Sequence, residues 1–241
     1  MMKRINLIAL YLAALVLSGG LSYADQRSYV WTYEYMTMSP GEAELEFYYT
    51  LEQPSAGNPS VSTWKPLVEL EYGLTERWDI SLYQQFKQTN TGVAATTAFA
   101  YDGYKARTRY RFGEKGQFLA DPLLYLEYIG KNDLSQSSQG EVKIILAKDV
   151  ARLNIAYNQI YKWTLSNGTA ENEYAAGANL ELNPAIRVGL ESKGNYTGGK
   201  YYLGPTISWT NQKFWITFGV LRGLNDKSDF QQARMIWAFM L

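Results

Sequence analysis

The chain has 241 residues, and its 23 Lys and Arg balance 23 Asp and Glu, so it has no net charge at neutral pH and no basic bias that points to nucleic acid. It contains no cysteine, which excludes a disulfide-stapled scaffold, and no histidine. The missing histidine removes the usual general base and the commonest transition-metal ligand, so no enzyme activity, metal or cofactor is expected. What the chain holds in abundance is aromatic side chains: 20 Tyr, 7 Trp and 9 Phe.

Residues 1–24 read as a secretory signal. Lys3 and Arg4 form a basic start, "INLIALYLAALVLSG" is an apolar run, and Ser22-Tyr23-Ala24 puts small residues at both positions that a signal peptidase reads. Beyond it, no apolar stretch approaches the roughly 20 residues of a spanning helix.

Residues 25–41 are harder to place. Within "RSYVWTYEYMTMSPG" (27–41), Trp31, Tyr33 and Tyr35 alternate with Thr32 and Glu34, a strand-like period of two. Counted as a strand, the segment would give an odd total, whereas bacterial single-chain barrels use even numbers. The expectation is a plug lying partly in a barrel lumen, or a strand at the barrel seam.

From residue 42 to 241 alternation repeats twelve times. "EAELEFYYTLE" (42–52) sets Ala43, Leu45, Phe47, Tyr49 and Leu51 against Glu42, Glu44 and Glu46. "LVELEYGL" (67–74) opposes Glu69 and Glu71 to Val68, Leu70, Tyr72 and Leu74, and "WDISLYQQF" (78–86) opposes Asp79 to Trp78, Ile80 and Leu82. In "KARTRYRF" (105–112), Lys105, Arg107, Arg109 and Arg111 share one face, with Tyr110 and Phe112 on the other. Eight further segments follow, from "LLYLEYIG" (123–130) to "QQARMIWAFML" (231–241). The links alternate between tight turns such as "NPA" and longer polar loops such as "QPSAGNPSVS", with "GEKGQFLAD" (113–121) long for its side.

The expected fold is an all-β transmembrane antiparallel barrel of about twelve strands, with short periplasmic turns and longer extracellular loops. A soluble sandwich also alternates. Against it stand aromatic residues near strand ends, among them Trp78, Tyr110, Phe112, Trp209 and Phe214, and charges in mid-strand on the opposite face. An Arg or Lys facing lipid near the midplane costs roughly 2–4 kcal/mol, so four on one strand would consume a typical domain's stability of about 5–15 kcal/mol. The charged faces must therefore look inward. The lumen candidates are Glu42, Glu44, Glu46, Glu69, Glu71 and Asp79, then Lys105, Arg107, Arg109 and Arg111, and further round Glu127, Lys143, Arg187, Glu191 and Arg234. Acid on one arc and base on a nearby arc suggest an ion-pair network across the lumen. Twelve strands lie between a filled and an open interior.

The motifs "EYGLTERWDISLY", "YKARTRYRFGEKG" and "GEVKIILAKDVARLNIAYN" resemble a family of uncharacterised Gram-negative outer-membrane β-barrels, loosely similar to barrels of the MetA pathway of phenol degradation. The resemblance implies passage of small molecules across the outer membrane and carries over no catalytic or binding residues. The expected function is a channel or gated passage for small polar or amphipathic solutes, with a non-conducting structural or surface-interaction barrel as the alternative. The expected partners are outer-membrane lipids, the barrel-assembly machinery and an unidentified small solute.

Overall fold

The computed structural model describes residues 26–92, 98–211 and 213–241; the signal at 1–24 lies outside them. Twelve strands follow one another: β1 (Ala43–Gln53), β2 (Val61–Thr75), β3 (Trp78–Thr91), β4 (Ala100–Arg111), β5 (Asp121–Lys131) and β6 (Gln139–Val150). They continue as β7 (Leu153–Thr164), β8 (Ala170–Asn183), β9 (Ile186–Asn195), β10 (Lys200–Thr210), β11 (Phe214–Gly223) and β12 (Gln231–Met240). Each pairs antiparallel with its chain neighbours, and β1 closes directly on β12, with Phe47 opposite Trp237. The sheet is a closed barrel with no free edge.

Period-two patterning fixes which side is which. In β3, Asp79, Ser81 and Tyr83 are buried inside, while Trp78, Ile80 and Leu82 stand exposed on the outer wall. The same parity exposes Leu126, Ile144, Leu190 and Phe218. An outer wall of this composition suits hydrocarbon rather than water. Aromatic side chains gather near both rims: at one, Tyr110 meets Phe112 edge-on at 5.6 Å and Phe214 lies 6.1 Å from Trp209 and 5.0 Å from Phe239, and at the other Phe86 stacks on Phe99 at 5.3 Å and Tyr174 on Tyr196 at 5.2 Å. Trp78 donates from its indole to Thr108 Oγ1 at 2.6 Å, satisfying the polar end of an otherwise apolar ring.

The two rims differ. Residues 76–77, 151–152 and 184–185 make short links at the rim of Tyr110 and Trp209, while 54–60, 132–138 and 224–230 make longer ones opposite. The long link at 112–120 on the short-turn rim is organised by Asp121, whose carboxylate accepts from the N–H of Gly116 (2.7 Å) and of Phe118 (3.1 Å).

Residues 26–39 form no strand, and the stretch from Arg27 through Tyr35 is wholly buried inside the barrel. Because β1 pairs with β12, the alternation of Trp31, Tyr33 and Tyr35 does not make a strand at the seam. The segment meets wall residues from both of its faces, with Tyr29, Tyr33 and Tyr35 against Leu123, Tyr125 and Ile145, and Val30 and Trp31 against Trp215 and Ile236.

Leu126 is the central residue of β5 and faces outward. Leu126→Arg is expected to destabilise the barrel by roughly 2–4 kcal/mol in reversible unfolding from lipid vesicles, while Leu126→Ile is expected to change it far less.

Candidate functional site

The lumen segment is a loop that enters and leaves at the short-turn rim. Near its start, Gln26 donates to Ser208 Oγ at 3.1 Å, and the Arg27 carbonyl accepts from Thr217 Oγ1. Near its exit, Met38 N–H donates to Asp79 at 3.1 Å, Pro40 bridges to Gly73, and the Tyr35 hydroxyl donates to the Gly113 carbonyl at 2.7 Å. The Ser28 N–H donates to Glu34 Oε2 at 2.7 Å and ties the two limbs together.

Mid-lumen, the wall grips the loop by its backbone. The Glu191 carboxylate on β9 accepts from three successive N–H groups: Val30 at 3.1 Å, Trp31 at 2.7 Å, and Thr32. Consecutive N–H groups converging on one anion form a nest. Asn158 on β7 takes the Tyr33 N–H at 2.6 Å and returns a bond to the Tyr33 carbonyl at 2.9 Å. Arg234 on β12 donates to the Val30 carbonyl at 2.9 Å.

Apolar contacts complete the fit. Tyr29, Tyr33 and Tyr35 pack against Leu123, Tyr125 and Ile145, while Val30 and Trp31 pack with Trp215, Leu221 and Ile236. Two inward-facing glycines make the room. A Cβ on Gly177 would lie 2.3 Å from the Tyr29 ring, and one on Gly219 would lie 2.6 Å from Val30.

Below the loop, toward the short-turn rim, lies a charge network. Arg109 holds Asp79 through Nε (3.0 Å) and Nη2 (2.7 Å), and also contacts Glu71. Arg107 reaches Glu71 at 2.6 Å and Glu69 at 3.0 Å. The Tyr48 hydroxyl sits 2.7 Å from Glu46 and 2.6 Å from Glu69, and accepts from Arg27 of the loop at 2.7 Å. The network does not span the bore as expected. Glu69 and Glu71 on β2, Asp79 on β3 and the arginines on β4 occupy three consecutive strands, so Arg109 pairs with its cross-strand neighbour Asp79 and both long arginines reach over β3 to β2, along the wall. The lumen loop is what crosses the bore.

Carboxylate oxygens of Glu46, Glu69 and Glu71 come within 4.8 Å of one another, the kind of set that could hold a metal ion. Arg107 and the Arg27–Tyr48 pair already meet these charges, so a cation there would have to displace them.

Above the loop, toward the long-loop rim, is a cavity of about 440 Å³ floored by Trp31 and Tyr33. Its basic side chains are largely compensated. Lys65 pairs with Glu52 at 2.7 Å, Lys143 and Lys162 with Glu141 at 2.9 and 3.1 Å, and Lys105 with Glu127 at 2.9 Å. Lys193 and Arg234 differ: among the described residues neither is in an ion pair, and both stand over the Trp31 ring, at 4.8 and 4.9 Å from its centroid.

The remaining sequence candidates fall at distinct levels. Glu44 accepts from the Trp215 indole at 3.0 Å. Glu42 is half-buried near the short-turn rim, where Arg111 binds Thr37 at 2.9 Å and the Glu76 carbonyl. Arg187 joins Ser28 of the loop to Glu181. Reasoning by charge and parity passed over the apolar inward patch of Leu123, Ile145, Trp215 and Ile236. The available signal was small and apolar residues on the inward parity, Ala147, Ala156, Ala175, Gly177 and Gly219 among them, which leave space for an occupant.

The fold is that of outer-membrane β-barrels. The Acinetobacter baumannii outer membrane protein Omp33 is similar with a TM-score of 0.51 at 7% identity, covering 83% of this chain and 98% of its own. The NanC porin is similar with a TM-score of 0.53 at 11% identity, covering 83% of this chain and 100% of its own. No protein-family model and no curated protein matches, so the likeness to the phenol-degradation barrels remains one of motifs.

Removing one partner from a buried ion pair leaves the other uncompensated, at a cost of about 3–5 kcal/mol. Arg109→Met is expected to lower barrel stability by that order in denaturant titration of the micellar protein. Adding Asp79→Asn is expected to recover part of the loss.

Proposed function

We propose that this protein is a gated passage for small polar or amphipathic solutes in the bacterial outer membrane, with residues 26–38 as the gate. The short-turn rim then faces the periplasm and the long-loop rim the exterior, after export on the signal at 1–24 and insertion by the barrel-assembly machinery. One observation carries the reading. The lumen is occupied by a loop held through side chains and a single strand bridge, Pro40 to Gly73, so it can leave without breaking a wall strand pair. The likeness of the motifs to the phenol-degradation barrels agrees with small-molecule passage.

The proposed role is non-enzymatic. Glu69 and Glu71, the inward carboxylates best placed for acid–base work, are held by Arg107. The apolar packing of Tyr29 and Tyr33 against Leu123 and Ile145 favours a second reading, a permanently closed structural barrel.

Planar-bilayer recordings decide between them. The native protein is expected to open briefly. Glu191→Ala removes three charge-assisted backbone bonds, and Gly177→Leu pushes into the Tyr29 ring. Each is expected to raise open probability about tenfold or more. Silence in the native protein and both variants would establish the closed barrel instead. In the same recordings, Arg109→Ala is expected to shift the cation-to-anion permeability ratio of open events; an unchanged ratio would place the selective constriction elsewhere.

A further inference from the structure

We propose that the cavity above the gate is a receptor for a small organic anion with a flat apolar body, with Lys193 and Arg234 taking the anionic group and the margins of the Trp31 and Tyr202 rings bordering the body. The inference rests on the gated-passage reading for its role in transport, but the binding site stands on its own geometry.

Two features single these groups out. The first is charge. The neighbouring lysines at this level meet a carboxylate, whereas Lys193 and Arg234 contact aromatic faces and neutral oxygens. Arg234 donates from Nε to Thr50 at 2.8 Å and from Nη1 to the Val30 carbonyl at 2.9 Å, which leaves Nη2 without a partner among the described residues. The Lys193 ammonium lies 4.8 Å from the Trp31 ring centroid and 5.3 Å from that of Tyr202, with no hydrogen bond among the described residues. Both donors border the cavity, and both lie over one indole, so a single carboxylate or phosphate group can reach the two together.

The second feature is shape. A cavity of about 440 Å³ suits a monosaccharide acid or an aromatic acid. Aromatic rings beside two fixed cations favour a solute with a charged end and a flat body over a bare inorganic ion. The site also touches the gate directly. Arg234 holds the Val30 carbonyl, and the N–H groups of Val30 and Trp31 sit on Glu191. An anion that draws the Arg234 guanidinium toward itself weakens one hold on the gate loop.

The test is calorimetric titration of the full-length mature protein in detergent, with glucuronate and benzoate as probes. Glucose, benzamide and inorganic phosphate serve as comparisons. Saturable binding of glucuronate or benzoate is expected, weakened about tenfold or more in Lys193→Gln and in Arg234→Gln. It is expected to be unchanged in Lys213→Gln, which alters an exposed lysine at the opposite rim. Lys193→Gln removes no hydrogen bond to the gate loop, only a contact with the Trp31 ring, so it keeps the test sound if Arg234→Gln misfolds. Absence of saturable binding, binding retained in Lys193→Gln, or equal binding of the neutral analogues would overturn the site. Phosphate binding as tightly as the organic acids would overturn the role of the rings. Anion binding to a protein that never conducts would sink the passage and leave the site. Conductance without anion binding would do the reverse.

Discussion

Inside a closed barrel a charge has few places to turn. Every inward side chain faces other inward side chains, and a buried carboxylate or guanidinium without a partner costs several kcal/mol. Compensation along the wall therefore governs the arrangement of β2, β3 and β4. Glu71 is shared between Arg107 and Arg109, and Asp79 is held by Arg109 through two nitrogens. The same constraint fixes register. A one-residue slip of β4 would turn Lys105, Arg107 and Arg109 to the outer wall and bring Tyr104, Tyr110 and Ala106 inside.

Glu191 shows how the gate loop enters this balance. Among the described residues it makes no ion pair, and its charge is met by the backbone N–H groups of Val30, Trp31 and Thr32. Wall and loop are thus complementary: the loop needs an acceptor for three N–H groups, and the wall needs donors for one buried anion. Departure of the loop would leave Glu191 to water, so in the proposed mechanism opening and hydration of the bore are one event. The free-energy difference between states is then the difference between a peptide nest and a hydration shell, which is smaller than the cost of baring the charge to a dry interior.

The fold was almost wholly legible in the sequence because its signal is local. Alternation, strand length and link length each survive in a stretch of about ten residues, and the twelve strands with their inward charges follow from parity. The site was legible less evenly. Arg107 and Arg109 could be assigned to the lumen because lipid excludes them, but their partners depend on which strands are adjacent, and so the network was expected across the bore rather than along the wall. Residues 26–39 show the limit most clearly. Trp31, Tyr33 and Tyr35 alternate like a strand, yet a segment enclosed in the lumen buries Thr32 and Glu34 as completely as its aromatics. Periodicity reports a two-sided environment, and this segment has one side only. What marks its place is on other strands, in the missing side chains of Gly177 and Gly219.

The two halves of the lumen are electrically unlike, and this bears on what a passage of this kind would carry. Toward the short-turn rim, Glu44, Glu46, Glu69, Glu71 and Asp79 outnumber Arg27, Arg107 and Arg109, while above the loop Lys193 and Arg234 are in no ion pair among the described residues. In the proposed passage, an anion drawn into the upper cavity by Lys193 and Arg234 would next meet the acidic region of Glu46 and Glu69. A simple anion would be held at that boundary. A solute with an anionic end and a polar or cationic end would instead be oriented by it, with the anionic end toward Lys193 and Arg234 and the other toward Glu46 and Glu69. Opposed charges at successive depths set direction as well as affinity. Tyr33 lies where they meet, its ring 4.2 Å from the Arg27 guanidinium carbon and 4.6 Å from the Lys143 ammonium, so displacing the loop would remove the aromatic partition between the two fields.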